Sequence, residues 1–176
     1  SSYHSAYDTL PWYWKAVGAD YASASMVTRM SCAFAIDLAY QRVLPLEPGA
    51  SFRDAAAFAR ARATASPADA VDWSFIATNM DEPASLAPAA ASAIAALGAN
   101  APAESVRALN RALLDLDRAW LADGAGLPGR PWFRNLLVST DESSGYSSWF
   151  LPAFTGAVKH AEPADRAAAL AHYTVI

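Results

Sequence analysis

Between Asp20 and Val43 the chain runs without glycine or proline, and Val27, Met30, Phe34 and Leu38 recur at spacings of three and four. That periodicity predicts one long helix. Ser25, Arg29, Asp37 and Gln41 make a narrow polar strip, while Met26, Ala33, Ile36, Tyr40 and Val43 widen the apolar arc beyond a single core-facing stripe. Such a helix is expected to pack on two sides. Pro45, Pro48 and Gly49 stop it, and Ser51 with Asp54 three residues on gives a weak capping-box-like start to a second helix, through about Ala65.

From Ser66 to Met80 the pattern fits a turn or a short helix, with Trp73, Phe75 and Ile76 as candidates to fill the core. Asp81 is a candidate cap for a further helix with Pro83 in its first turn, running through Leu86 and Ile94 to Leu97, where the alanine content predicts close helix packing. Asn100 and Pro102 open the most regular helix, whose Val106, Leu109, Leu113, Leu116 and Trp120 keep helical spacing. Arg107, Arg111, Asp115 and Arg118 mark its wet face. There Arg111 and Asp115 are expected to attract, worth only about 0.3–0.5 kcal/mol. Gly124, Gly126, Pro128, Gly129 and Pro131 make a turn-rich loop, followed by a short extended segment over 132–138 and a polar irregular stretch from Ser139 to Tyr146. Pro163 opens a final helical stretch to about Tyr173. The expected fold is all-α, an up-and-down helical bundle of four main helices with long irregular loops, forming one domain over residues 1–176.

A chain of 176 residues, 54% of them hydrophobic, can bury one sizeable core. Its net charge of -4 comes from scattered groups, so no basic stripe exists to follow phosphates, and nucleic acid is excluded as a partner. Cys32 stands alone, which rules out an internal disulfide and leaves the compartment open. The charge-free stretch from Pro83 to Ala103 is mostly Ala, Ser, Pro, Gly and Asn and does not read as transmembrane. The chain starts abruptly at Ser1 with no basic-then-apolar leader, so it is expected to be a fragment of a larger protein. It contains no convincing internal repeat.

No complete catalytic constellation is encoded. His4, His160 and His172 are far apart and none has ligand spacing, so on chemistry alone His4 reads as a solvated side chain. Gly124, Gly126 and Gly129 lack the Lys-Ser/Thr of a phosphate loop, and the serines from Ser143 to Ser148 lack a nucleophile elbow. Asp115 and Asp117 lie on different helix faces and do not pair for acid–base work. The cluster Trp12-Tyr13-Trp14 reads as an anchor onto the core before a binding platform. The residues by themselves point to a helical domain with a partner surface.

Three ordered stretches carry more. Tyr3-His4-Ser5-Ala6-Tyr7-Asp8-Thr9 stands at the start. Leu109-Asn110, Leu116-Asp117-Arg118-Ala119-Trp120 and Gly126-Leu127-Pro128-Gly129-Arg130-Pro131-Trp132-Phe133-Arg134 follow, and Tyr146 precedes Pro152 near the end. Together they resemble the glutamate carboxypeptidase and transferrin receptor family, in its C-terminal helical dimerisation domain. The Gly-Leu-Pro-x-Arg-Pro run is the most specific, and the section from Ala63 to Ala101 matches loosely.

The resemblance implies a homodimer, with residues 1–18 as the tail of a preceding zinc peptidase domain and its linker. It makes His4 the last zinc ligand of a two-zinc exopeptidase, the other ligands and the general base lying upstream. That places the chain nearer the peptidase branch than the receptor branch. One histidine cannot hold such a centre, so zinc belongs to the parent enzyme and none is expected to bind this fragment tightly. Tyr3 and Tyr146 inherit contact with the α-carboxylate of a peptide substrate's C-terminal residue. The family lysine that faces a glutamate side chain is replaced by Gly145, and Ser147-Ser148-Trp149 stand in place of Ala-Gly-Glu, so a more apolar pocket is expected. The expected role is therefore dimerisation and bracing of an active site, with a receptor-like or adaptor module as the alternative. The resemblance also points to an extracytoplasmic setting.

Overall fold

Thr9 opens the first helix, its hydroxyl accepting from the Trp12 N–H at 3.4 Å, and Pro11 in the first turn costs no hydrogen bond there. In the computed structural model, which describes residues 3–67, 71–97, 100–124, 126–159 and 164, this helix is α1 (Leu10–Val17). Gly18, at φ +114°, closes it. Asp20 accepts the Ala22 N–H at 3.1 Å, and α2 (Ala22–Tyr40) follows as the periodicity predicts. The corner between the two is aromatic: Trp14 Nε1 donates to Tyr21 Oη at 2.8 Å, and the Tyr13 and Tyr21 rings stack with centroids 5.7 Å apart. Two expectations fail here. No residue of α1 or α2 is buried, so α2 does not pack on two sides within its own unit, and Trp12 and Trp14 stay exposed instead of anchoring to a core there.

The chain divides into two compact units, Ser1–Pro45 and Leu46–Ile176. In the second, α3 (Ala50–Ala65) starts at Gly49, not at a Ser51–Asp54 capping box. Gly49 is left-handed at φ +77°, and a Cβ on it would stand 2.8 Å from that of Ala87, so both backbone angle and space demand glycine. Ser51 instead accepts from Trp120 Nε1 at 2.9 Å. Asp72 caps α4 (Trp73–Ser85) by accepting the Phe75 N–H at 2.9 Å. The expected start at Asp81 is thus wrong: Asp81 and Pro83 lie inside α4, and Asp81 pairs with Arg60 across to α3. Phe75 faces solvent, while Trp73 and Ile76 do fill the core.

Phe52, Ala55, Ala56 and Ala59 of α3 meet Trp73, Ile76, Ala77 and Met80 of α4, the alanines letting the two backbones approach. Next, α5 (Ala87–Leu97) buries no residue, so its alanines do not give the close packing expected of them. In α6 (Ala103–Arg118) Val106 and Leu113 are buried but Leu116 is exposed, and Asp115 pairs with Arg118 at 3.0 Å in place of Arg111. Trp120 lies beyond that helix. It is 1% exposed, with its ring 5.0 Å from that of Phe52.

After the turn-rich loop come β1 (Val138–Thr140) and β2 (Ser148–Phe150), an antiparallel pair in the register Val138↔Phe150, Ser139↔Trp149 and Thr140↔Ser148. Leu151 takes a left-handed turn at φ +48° with its side chain wholly buried, and starts α7 (Pro152–Lys159), which periodicity did not show. The helix expected from Pro163 to Tyr173 falls outside the described residues, apart from Ala164. The fold is mostly helical as expected, but among the described residues seven helices and a hairpin stand in place of the four-helix up-and-down bundle. Among the described residues no helix is long and apolar enough to cross a membrane.

Candidate functional site

The most specific motif in the chain builds a brace. Gly126 lies so close to the loop's return that a Cβ would meet the Phe133 carbonyl oxygen at 2.1 Å, which only a residue without one avoids. Leu127 is buried, and its N–H donates to that same carbonyl at 2.9 Å. Arg134 Nε donates to the Ala122 carbonyl at 2.8 Å and ties the loop to the segment after α6. Arg130 then reaches the hairpin. Its guanidinium lies 5.4 Å from the Phe133 ring centroid and 5.7 Å from that of Trp149, and it donates to the Thr140 carbonyl at 2.8 Å and to Ser139 Oγ at 3.3 Å. Asn135 accepts the N–H groups of Leu137 and Val138, both at 2.9 Å, and aims the chain into β1.

The hairpin loop is closed by Asp141. Its carboxylate accepts four hydrogen bonds, from the N–H groups of Ser143 at 2.8 Å, Ser144 at 2.6 Å and Ser147 at 2.8 Å, and from the Ser144 hydroxyl at 2.7 Å. The Asp141 N–H returns a bond to the Ser147 carbonyl at 2.8 Å. Those donors, the Ser144 hydroxyl and N–H foremost, hold the carboxyl well below the usual aspartate range. A depressed carboxylate stabilises the fold fully above its unfolded value near 4 and loses that contribution only as pH falls through the folded value. The clamp is therefore complete at neutral pH. Gly145 supplies the left-handed turn at φ +72°, and Tyr146 follows, 72% exposed, its N–H bonded to Ser144 Oγ at 3.1 Å.

Tyr3 and His4 belong to the other unit. Their ring centroids are 3.9 Å apart, both residues are exposed, and His4 is left-handed at φ +60°. A non-glycine residue with such a backbone carries local strain of the kind often met at functional positions. The structure thus brings Tyr3 and His4 together, while Tyr146 stands on the hairpin of the second unit. Among the described residues no three His, Cys, Asp or Glu side chains stand together as a metal-holding group.

A cavity of about 680 Å³ adjoins the brace, walled by Leu127, Pro128, Arg130 and Trp132 on one side and by Ala153 and Gly156 of α7 on the other. Arg130 Nε is buried without a hydrogen-bond partner. Sequence reasoning singled out Arg130 and Tyr146 but missed Asp141. The signal was present: an aspartate two residues before Ser143-Ser144 is the pattern of a side chain that caps its own turn.

The most specific motif of this helical unit stabilises the hairpin that presents Tyr146. The chain matches the family of transferrin receptor-like dimerisation domains over residues 67–175, more than half its length, and it belongs to that family. The match takes in Asn110, Trp120, the Gly126–Arg134 loop and Tyr146, and begins after Tyr3 and His4. No curated protein and no solved structure matches the chain.

Proposed function

We propose that this chain is a homodimerisation domain that braces the active site of a glutamate carboxypeptidase-like zinc peptidase. Membership of the dimerisation-domain family is the observation that carries this reading. The association surface we assign is the face of α2, where Met30 is 65% and Phe34 66% exposed, with Met26 and Val27 beside them at helical spacing. Unpartnered apolar area of that extent on a helix is costly in water, and burying each large side chain returns roughly 1.5–3 kcal/mol. A second copy would cover it.

In the parent peptidase, Tyr3 and Tyr146 would offer phenolic hydroxyls to the terminal carboxylate of a peptide, and His4 one imidazole to zinc whose other ligands lie outside this chain. The metal would supply the activated water there. Since Gly145 stands where the resemblance places a lysine, the pocket would favour apolar over acidic C-terminal residues. A parent enzyme cleaving only peptides that end in glutamate would overturn that preference.

Light scattering over a concentration series tests the dimer. The expected mass is roughly twice 18.6 kDa, falling to the monomer value in a Met30→Glu/Phe34→Glu variant whose helical content is unchanged. A wild-type monomer at high concentration would remove independent dimerisation. A dimer that survives both substitutions would move the surface away from α2, and a parent chain without further zinc ligands would turn the reading to a receptor-like adaptor.

A further inference from the structure

The loop over residues 141–147 has more internal structure than a connector between two three-residue strands requires. Three backbone N–H groups and one hydroxyl converge on the two oxygens of one carboxylate, the arrangement that would cradle an anion. Here Asp141 fills it from within. The donors are spent on the chain's own carboxylate, so the loop is not a free anion site, and its exposed aromatic hydroxyl is that of Tyr146.

The contacts form a relay. The Ser144 hydroxyl donates to Asp141 Oδ2 at 2.7 Å and accepts from the Tyr146 N–H at 3.1 Å, so the carboxylate is joined to the tyrosine backbone through one side chain. Asp141 is itself fixed from behind, because Arg130 holds the carbonyl of Thr140 and the Asp141 N–H extends the ladder to Ser147. Charge-assisted bonds of this kind are shorter and stronger than neutral ones, and four on one carboxylate leave it little freedom.

We propose that Asp141 is a positioning residue that sets where Tyr146 stands, acting through Ser144, so that the phenol meets a peptide carboxylate without first ordering the loop. The loop's placement follows from the geometry above, while its use on a carboxylate rests on the function proposed here. A preordered loop lowers the entropy cost of binding, and its loss is felt as weaker binding with little change in the chemical step.

Two readouts separate the parts. On the 176-residue chain, amide hydrogen exchange at Ser143, Ser144 and Ser147 and the fluorine resonance of a fluorotyrosine at position 146 report the loop directly. Asp141→Ala is expected to speed exchange at those amides by about tenfold or more and to broaden the Tyr146 signal, with Asp141→Asn, which keeps one acceptor oxygen, falling between. Ser144→Ala should disturb Tyr146 while sparing the Ser143 and Ser147 amides. Unchanged exchange in Asp141→Ala, or a Tyr146 resonance indifferent to both Asp141→Ala and Ser144→Ala, overturns the positioning role. In the parent peptidase, Tyr146→Phe and Asp141→Ala should each raise KM about tenfold and change kcat less than about twofold. A loop loosened by Asp141→Ala alongside a Tyr146→Phe enzyme of normal KM would leave the positioning intact and overturn the carboxylate-binding function.

Discussion

Helix α2 and helix α3 are both alanine-rich, both free of proline, and both carry a phenylalanine in an apolar strip, yet they meet opposite fates. In α3 the strip Phe52, Ala55, Ala56 and Ala59 disappears against α4, while in α2 no side chain is buried. The difference lies in what each can reach within its own unit. Residues 46–176 are long enough to enclose a core, whereas 45 residues holding an eight-residue and a 19-residue helix cannot bury an apolar arc of that width. Apolar content therefore says that a surface wants covering, not what covers it.

The sharpest way to break this contrast is to remove the side chain on which the second unit depends most. Trp120 is buried, rests on Phe52 and bonds Ser51, so Trp120→Ala should destabilise that unit by about 3–5 kcal/mol in urea unfolding followed by circular dichroism. A loss below about 1 kcal/mol would mean that the core closes without it. Gly126→Ala comes next. The added methyl would meet backbone of Phe133 and Pro131, which cannot swing aside as a side chain could, and the expected cost is about 1–3 kcal/mol. Because Arg130 carries the strain toward β1, the Ser139 amide should exchange faster in that variant; an unmoved hairpin would show the brace to be dispensable.

How much of this was legible beforehand follows the same division. The periodicity of Val27, Met30, Phe34 and Leu38 located α2 almost to its ends, and the spacing of Val106 and Leu113 located α6, because helical period is a local property. Caps were read less well. Asp81 looks like a helix start, but Asp72 already caps the helix in which Asp81 lies, and Pro83 stands inside that helix near its end. The fate of α2 was illegible for a different reason: a wide apolar arc has the same pattern whether a core or a partner covers it. At the candidate site, Tyr3, His4 and Tyr146 came from resemblance. What holds Tyr146, by contrast, required seeing that Asp141, Ser144 and Arg130 act on one hairpin, since hydrogen bonds between neighbouring loops leave no periodic trace in a sequence.

The smallest effect discriminates best. Phe34 has nearly the same apolar payload as the core aromatics but is 66% exposed in α2. Phe34→Ala should leave the unfolding free energy of the monomer within about 0.5 kcal/mol of wild type, as surface substitutions do. The same truncation should weaken self-association, because an aromatic at the centre of an interface costs about 2 kcal/mol or more when removed, roughly a thirtyfold change in dissociation constant. Unfolding must be measured well below the dimerisation range, where the two terms separate by mass action. Were the monomer destabilised as strongly as by Trp120→Ala, Phe34 would have to be buried within a single chain, and the two helices would differ in degree only. A near-neutral monomer with a weakened dimer would place the burial of α2's apolar face in another copy of the chain.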